Sequence, residues 1–262
     1  MTVLADIVAG VCKDLERRKS ARPLLDVAEA AVARGAGRDF GAALKRDGVA
    51  VIAEVKRASP SRGAIRESAD PAATARAYAD AGADAISVLT EQRRFGGALS
   101  HLSAVVEALG PGGPPVLRKD FVLDPYQVYE ARTCGADCVL LIVALLEDGT
   151  LGQLLELSDR LGMQCLVEVH DEHEACRAVD IGAPIVGINN RNLKTLEVDL
   201  ATTERVRSCV PPGRVVVSES GIRERADVER LARCGIDAVL VGEALMLAVD
   251  LSAKLRELRC GE

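Results

Sequence analysis

Aromatic side chains are nearly missing: there is no Trp, and aromatics make up 2% of the 262 residues. Any core has to be built from Val, Leu, Ile and Ala, which supply most of a 48% apolar share. A basic excess is missing too. The net charge of -6 lacks the cationic stripe of a general nucleic-acid binder, though a local cationic pocket for a small anion stays open. No run reaches the ~18 apolar residues of a membrane span. No basic region followed by an apolar stretch marks a signal peptide, so a soluble, cytoplasmic chain without a membrane partner is expected. The 8 cysteines form neither a CxxC pair nor a Cys/His zinc spacing. Cys138 and Cys165 fall in apolar runs and Cys134, Cys176 and Cys234 in helical ones, where free thiols act as small hydrophobes. A reducing compartment is the matching expectation.

What is present is a repeat. The apolar, β-branched runs "VAVIAEV", "AISVLT", "PVLRKDF", "CVLLIVALL", "QCLVEVH", "PIVGINN", "RVVVSES" and "AVLVGEA" follow one another from residue 49 to 244. Most are continuous rather than alternating, as parallel strands covered on both faces require. Helical spacing fills the gaps, for example in "DPAATARAYADAGAD". The stops "AGADAISV", "CGADCVLL", "IGAPIVGI" and "CGIDAVLV" place a Gly where a helix ends before the next strand. Eight strand–helix units imply an α/β fold, a closed (β/α)8 TIM barrel. A doubly wound open sheet is the competing reading, and its GxGxxG turn after the first strand is absent. "LADIVAGVCKDLERRK" and "FGAALKR" read as helices of an N-terminal extension covering the bottom or rim. The expectation is one domain over 1–262, with the extension at 1–48 and the barrel at 49–262, and a monomer.

A barrel of this kind works at the carboxyl ends of its strands. Glu54 and Lys56 share a face at the end of the first strand. Lys119 ends the third, with Leu117 on its side and Arg118 on the other. Glu168 interrupts the fifth; Asn189 and Arg191 share a face at the end of the sixth; Ser218 and Ser220 pair at the seventh. An ion pair at a barrel rim can be purely structural. Yet Lys and Glu are seldom buried without partners, and two Lys, two Glu, an Arg and an Asn at one mouth point to chemistry. "SESGI" and "VGEAL" each offer a Gly whose backbone can approach an anion, followed by N–H groups of a helix start. Lys56 and Ser59 in "KRASPS" can close such a phosphate site, with residues 59–63 as a lip.

Taken together, "AEVKRASPSRG", "LRKDF", "LVEVH", "GINNRNL", "SESGI" and "LVGEALM" closely resemble the indole-3-glycerol-phosphate synthase family, in order, over residues 4–248. The resemblance implies cyclisation of 1-(2-carboxyphenylamino)-1-deoxyribulose 5-phosphate with loss of carbon dioxide and water. It implies no cofactor and no metal. On this sequence the family's catalytic acid falls on Lys119 and its base on Glu168. Lys56 and Glu54 assist, and Asn189 and Ser220 orient. Arg191, Phe95, Ser59 and Pro60 hold substrate, Phe95 as a wall for the anthranilate ring. Phosphate rests on Lys56, Ser59, Gly221, Gly242 and the backbone of Glu243. Glu243 stands where some members carry Ser, and Arg94 and Ala98 where many carry Tyr and Ser.

The inventory suits that reaction. Charge develops on a ketone oxygen as the ring attacks, and a Lys can donate a proton there if burial and neighbouring cations lower its pKa; Arg cannot. Which Lys–Glu pair serves the dehydration stays open between Lys56 with Glu54 or Glu168, and Lys119 used twice. Phosphoribosylanthranilate isomerase, a Schiff-base aldolase and a non-catalytic sugar-phosphate binder are the rival readings. The first would bring a Cys at the end of strand one, which is missing. His170 and His173 in "VEVHDEHEA" are three apart, as in a metal pair, but read better as exposed loop or capping residues. His101 carries no signal.

Overall fold

Strands made of continuous Val, Ile, Leu and Ala have no polar face to offer water, so both faces must be covered. In the computed structural model, which describes residues 3–60 and 62–259, they are covered by closing on themselves inside a ring of helices. Among the described residues eight parallel strands form the closed barrel: β1 (Ala50–Val55), β2 (Ala85–Leu89), β3 (Val116–Lys119), β4 (Cys138–Ile142), β5 (Gln164–Val169), β6 (Ile185–Asn189), β7 (Val215–Glu219) and β8 (Ala238–Val241). Each pairs with its sequence neighbours, and β8 closes on β1 with Ala50 opposite Ala238. A separate two-residue ladder pairs Ala58–Ser59 with Gly63–Ala64 on the loop after β1; residue 61 of the expected lip lies outside the described residues.

The helices that follow the strands start on residues suited to it. Asp70, Asp124 and Asp171 accept from backbone N–H groups in the first turns of α4 (Pro71–Asp80), α6 (Pro125–Thr133) and α8 (Glu172–Asp180). Pro71 and Pro125 occupy first-turn positions, where no N–H is needed. At the other end Gly82 and Gly135 take positive φ (92° and 89°) and turn the chain into the next strand. The Asp two residues later is part of the device. Asp84, Asp137 and Asp237 accept from the backbone N–H of Val51, Val116 and Val216 on neighbouring strands, at 2.7–2.8 Å. The Gly-x-Asp punctuation therefore ends a helix and pins the bottom rim at once.

Inside, Ala50, Ile52, Leu117, Leu140, Leu166, Ile185, Val217 and Leu240 fill the barrel. Phe40 of α3 (Phe40–Ala43) and the adjacent Leu44, both fully buried, close its lower end. The N-terminal helix α1 (Val3–Ala21) runs along the side instead. Arg18 and Lys19 bond Glu130 and Asp124 at 2.7 Å, and Tyr126 Oη donates to the carbonyls of Arg18 and Arg22. Arg93 on the loop after β2 holds Asp14 of α1 through two bonds of 2.7–2.8 Å. The extension thus serves both ends: α3 plugs the bottom while α1 reaches the mouth. The thiols described are free; Cys134 caps α6 and Cys234 lies just past α10 (Arg225–Ala232), rather than inside helices, and Cys260 lies outside the described residues. No described helix is long and apolar enough to cross a membrane.

One charge sits where the barrel wall meets a helix. Arg118, fully buried, points outward from β3 and binds Asp120 at 2.8 Å, the Gln127 carbonyl at 2.7 Å and Thr90 Oγ at 3.1 Å, with Glu130 at 3.5 Å. Asp120 in turn accepts from Thr90 Oγ and from the N–H of Phe121. Removing one member of such a set strands the others without water. Arg118→Met is expected to lower unfolding free energy by about 3–5 kcal/mol, read as a lower urea midpoint; an unchanged midpoint contradicts this role.

Candidate active site

Strand alternation decides which charges enter the barrel mouth. Leu117 faces in, so Lys119 does too; Leu166 brings in Glu168, Ile52 brings in Glu54, and Val217 brings in Glu219. These ends meet. Lys119 Nζ lies 2.7 Å from Glu168 Oε2 and 2.9 Å from Glu219 Oε2, all three largely removed from water. Asn189 Nδ2 donates to Glu168 Oε1 at 3.1 Å, and its own Oδ1 accepts from the N–H of Arg191. On β1 Lys56 Nζ stands 2.6 Å from Glu54 Oε1, while Ser87 Oγ touches Glu54 Oε2 at 3.5 Å. Two Lys–Glu pairs therefore occupy one floor.

Room for these carboxylates comes from two glycines. A Cβ on Gly187 would fall on Glu219 Oε1, and one on Gly242 would stand 2.6 Å from Glu54 Oε1. Any side chain at either position displaces a charged group.

Above the floor is a rim. Ser59 and Pro60 border the cavity from the loop after β1, and Gly221, Gly242 and Glu243 border it from the ends of β7 and β8. Ser220 holds a left-handed backbone (φ 68°), unusual for a residue with a side chain. The amide of buried Asn190 holds its carbonyl at 3.1 Å while bonding Ser218 Oγ and Thr203 on the outer face. Glu243 turns its carboxylate to Arg62, 2.6 Å away across the mouth. Arg191 lines the cavity with one guanidinium nitrogen on the Leu196 carbonyl. Phe95 packs beside Phe121 with centroids 6.2 Å apart, its loop fixed by Glu91 accepting from the N–H groups of Arg93, Arg94 and Phe95. Val3, Leu4 and Ile7 of α1 border the same cavity. Arg94 and Ala98 are not part of the wall.

Electrostatics follow from these contacts. Burial alone would lower the Lys119 pKa, but the carboxylates of Glu168, Glu219 and Glu54 outweigh it and raise it well above the ordinary lysine value. Burial would likewise raise Glu168, yet Lys119 and His170 hold its carboxyl far below the usual range. Glu219 goes the other way: burial, with the charges of Glu168 and Glu54 adding to it, pushes it up to about 7 against the pull of Lys119. One carboxylate of the pair stays ionised and the other keeps a proton to neutral pH.

The structure brings together Lys119, Glu168, Lys56, Glu54, Asn189, Ser220, Arg191, Phe95, Ser59, Pro60, Gly221, Gly242 and Glu243 around one hollow. Three expectations need correcting. Ser218 does not share the mouth with Ser220: it faces outward to Asn190 and Thr203, and Glu219 between them enters. Lys119 is surrounded by carboxylates rather than cations, so its pKa rises instead of falling. His170 is not an exposed loop residue. Its ring is 12% exposed and lies against Glu168, although His173 is exposed. Glu219 carried only a partial signal, a charge at the end of an apolar run whose three valines leave its facing open; His170, Arg62 and the α1 residues carried none.

The hollow has a volume of about 590 Å³, within the ~300–1,000 Å³ typical of small-molecule sites. Among the described residues no group of three or more His, Cys, Asp or Glu is arranged to hold a metal ion. By fold, the chain is similar to 3-hexulose-6-phosphate synthase (TM-score 0.63, 18% identity, 81% of this chain and 99% of that one). It is also similar to thiamine phosphate pyrophosphorylase from Pyrococcus furiosus (TM-score 0.61, 17% identity, 81% and 94%). By sequence, it is 57% identical to the indole-3-glycerol phosphate synthase of Beutenbergia cavernae over 94% of this chain and 90% of that one. To the enzyme of the same name from Dehalococcoides mccartyi it is 51% identical, over 98% and 99%. The family model described as indole-3-glycerol phosphate synthase matches residues 4–258. With barrel, charged floor and sequence in agreement, this chain belongs to the indole-3-glycerol phosphate synthase family.

Proposed function

We propose that this chain closes the indole ring of indole-3-glycerol phosphate from 1-(2-carboxyphenylamino)-1-deoxyribulose 5-phosphate, releasing carbon dioxide and water, by acid–base chemistry of its own side chains. The observation that carries the residue roles is the pair of Lys–Glu contacts on one floor: Lys119 with Glu168 at 2.7 Å, Lys56 with Glu54 at 2.6 Å. The substrate is a small phosphorylated anion. Its phosphate rests on the backbone at Gly221, Gly242 and Glu243 with Lys56 and Ser59 beside it. The aromatic ring lies against Phe95 and Pro60, and Arg191 helps to hold the substrate. Ser220 orients it from the rim.

Ring closure joins the ring carbon bearing the carboxylate to the ketone carbon. The ketone oxygen becomes an alkoxide, a stronger base than the lysine amine, and takes a proton from Lys119 as the bond forms. A raised lysine pKa is no obstacle here, because the acceptor is stronger still and the cation also stabilises the developing charge. Carbon dioxide then departs, leaving its electron pair to restore the aromatic ring. The new hydroxyl leaves as water with a proton from Lys56, while Glu168 takes the proton from the carbon next to nitrogen and returns it to Lys119. Lys56, partly open to solvent, recharges from water. One proton is consumed overall, as loss of carbon dioxide from a carboxylate requires. Asn189 keeps Glu168 aimed. Holding ring and ketone together adds a proximity term on top of this.

Fluorescence of the indole product gives the direct assay. Lys119→Met is expected to reduce kcat by about 10²–10⁴-fold with substrate affinity by calorimetry within a few-fold of wild type. A variant that turns over normally removes Lys119 from the acid role, and absence of product from folded wild type removes the reaction. The pH profile tests Glu219. As pH rises through about 7 its carboxyl ionises, adds negative charge 2.9 Å from Lys119 and makes that ammonium a weaker acid. kcat is therefore expected to fall across this midpoint in wild type and to lose that fall in Glu219→Gln; the same fall in the variant rejects the assignment.

A further inference from the structure

His170 is buried and titratable, yet no step above uses it. It follows β5 by one residue, and its ring sits between two carboxylates. Nδ1 lies 3.0 Å from Glu174 Oε2, which also accepts the backbone N–H of His170 at 2.8 Å. Nε2 lies 3.2 Å from Glu168 Oε1, at ion-pair distance but angled away from a proper hydrogen bond. Glu174 belongs to the first turn of α8, three residues from the Asp171 cap whose side chain accepts the Glu174 N–H.

We propose that His170 is a positioning residue for Glu168: an imidazolium, held charged by Glu174, that joins the Asn189 amide in fixing the Oε1 edge of the base while Lys119 holds the Oε2 edge. This rests on Glu168 being the base. The charged groups around the ring are Glu168 of β5, the strand it follows, and Glu174 on α8, with Lys119 of β3 and Glu219 of β7 reached through Glu168. Burial works against charge on His170, but the two carboxylates outweigh it and raise its pKa to about 10. A carboxylate gripped on both edges cannot rotate its lone pair away from the substrate carbon. The charge has a second effect, since a cation at this spot eases ionisation of the Glu168–Glu219 pair.

The chain holds 3 histidines, so imidazole NMR of wild type reads the charge directly. The His170 signal, assigned with His170→Gln, is expected to stay cationic from pH 6 to 9. In Glu174→Gln its midpoint should drop by about 1–3 units, the usual effect of one close opposite charge. In kinetics, His170→Gln is expected to lower kcat about 10-fold, part of the ~10²–10⁴ a positioned base supplies, with KM within about 3-fold. The fall of kcat with rising pH should move up by about one unit, because a neutral side chain no longer favours ionised carboxylates. A merely structural His would leave that midpoint in place. A wild-type His170 signal that is neutral at pH 7.5, or a His170→Gln profile that overlays wild type, overturns the proposal. Glu168→Gln separates the two levels: if it turns over at the wild-type rate, the base assignment itself is wrong. If it is inactive while His170→Gln behaves as wild type, only the positioning role fails.

Discussion

An ammonium between two glutamate carboxyl groups, all three withdrawn from water, is the constraint to which the rest of this molecule answers. Taking such charges out of solvent costs several kcal/mol each unless partners replace the lost hydration. Lys119, Glu168 and Glu219 replace it for one another, and Asn189 and His170 take up what Glu168 has left. No short piece of chain can supply this set. Its members come from β3, β5, β6 and β7, and only barrel closure brings those strand ends together. The apolar filling below and the missing side chains of Gly187 and Gly242 are the packing conditions for it.

The outer layers extend the same arrangement. Behind Lys119, Arg118 ties β3 to α6, and Glu130 passes the contact on to Arg18 of α1. At the mouth Arg93 joins α1 to the loop that carries Phe95. The helix before the barrel is thus linked through Glu130 to the acid-bearing strand and bonded to the loop of the aromatic wall, and its own Leu4 and Ile7 border the hollow.

Much of this was legible from residue order, for a physical reason. Parallel strands buried on both faces must be apolar, so a Lys or Glu near their ends stands out, and Glu54, Lys56, Lys119 and Glu168 did. Glu219 was harder. Three consecutive valines precede it, so nothing alternates to fix the inward phase, and the flanking serines offered a plausible polar pair. His170 sits just beyond a strand, where polarity is ordinary and only the packed ring against Glu168 reveals its place. The Arg62–Glu243 contact joins residues 181 apart, beyond any local pattern. The rise of the Lys119 pKa depends on neighbours, which a sequence does not specify until the fold does.

The order Arg118–Lys119 has one more effect. Side chains alternate along a strand, so a slip of β3 by one residue would exchange the two. The guanidinium would then stand in the reaction chamber, unable to release a proton at neutral pH, and the shorter ammonium would be left in a slot built for a planar fork. Two adjacent cations of unlike chemistry therefore act as proofreading marks for the wall they belong to: a misthreaded barrel would be both less stable and inert.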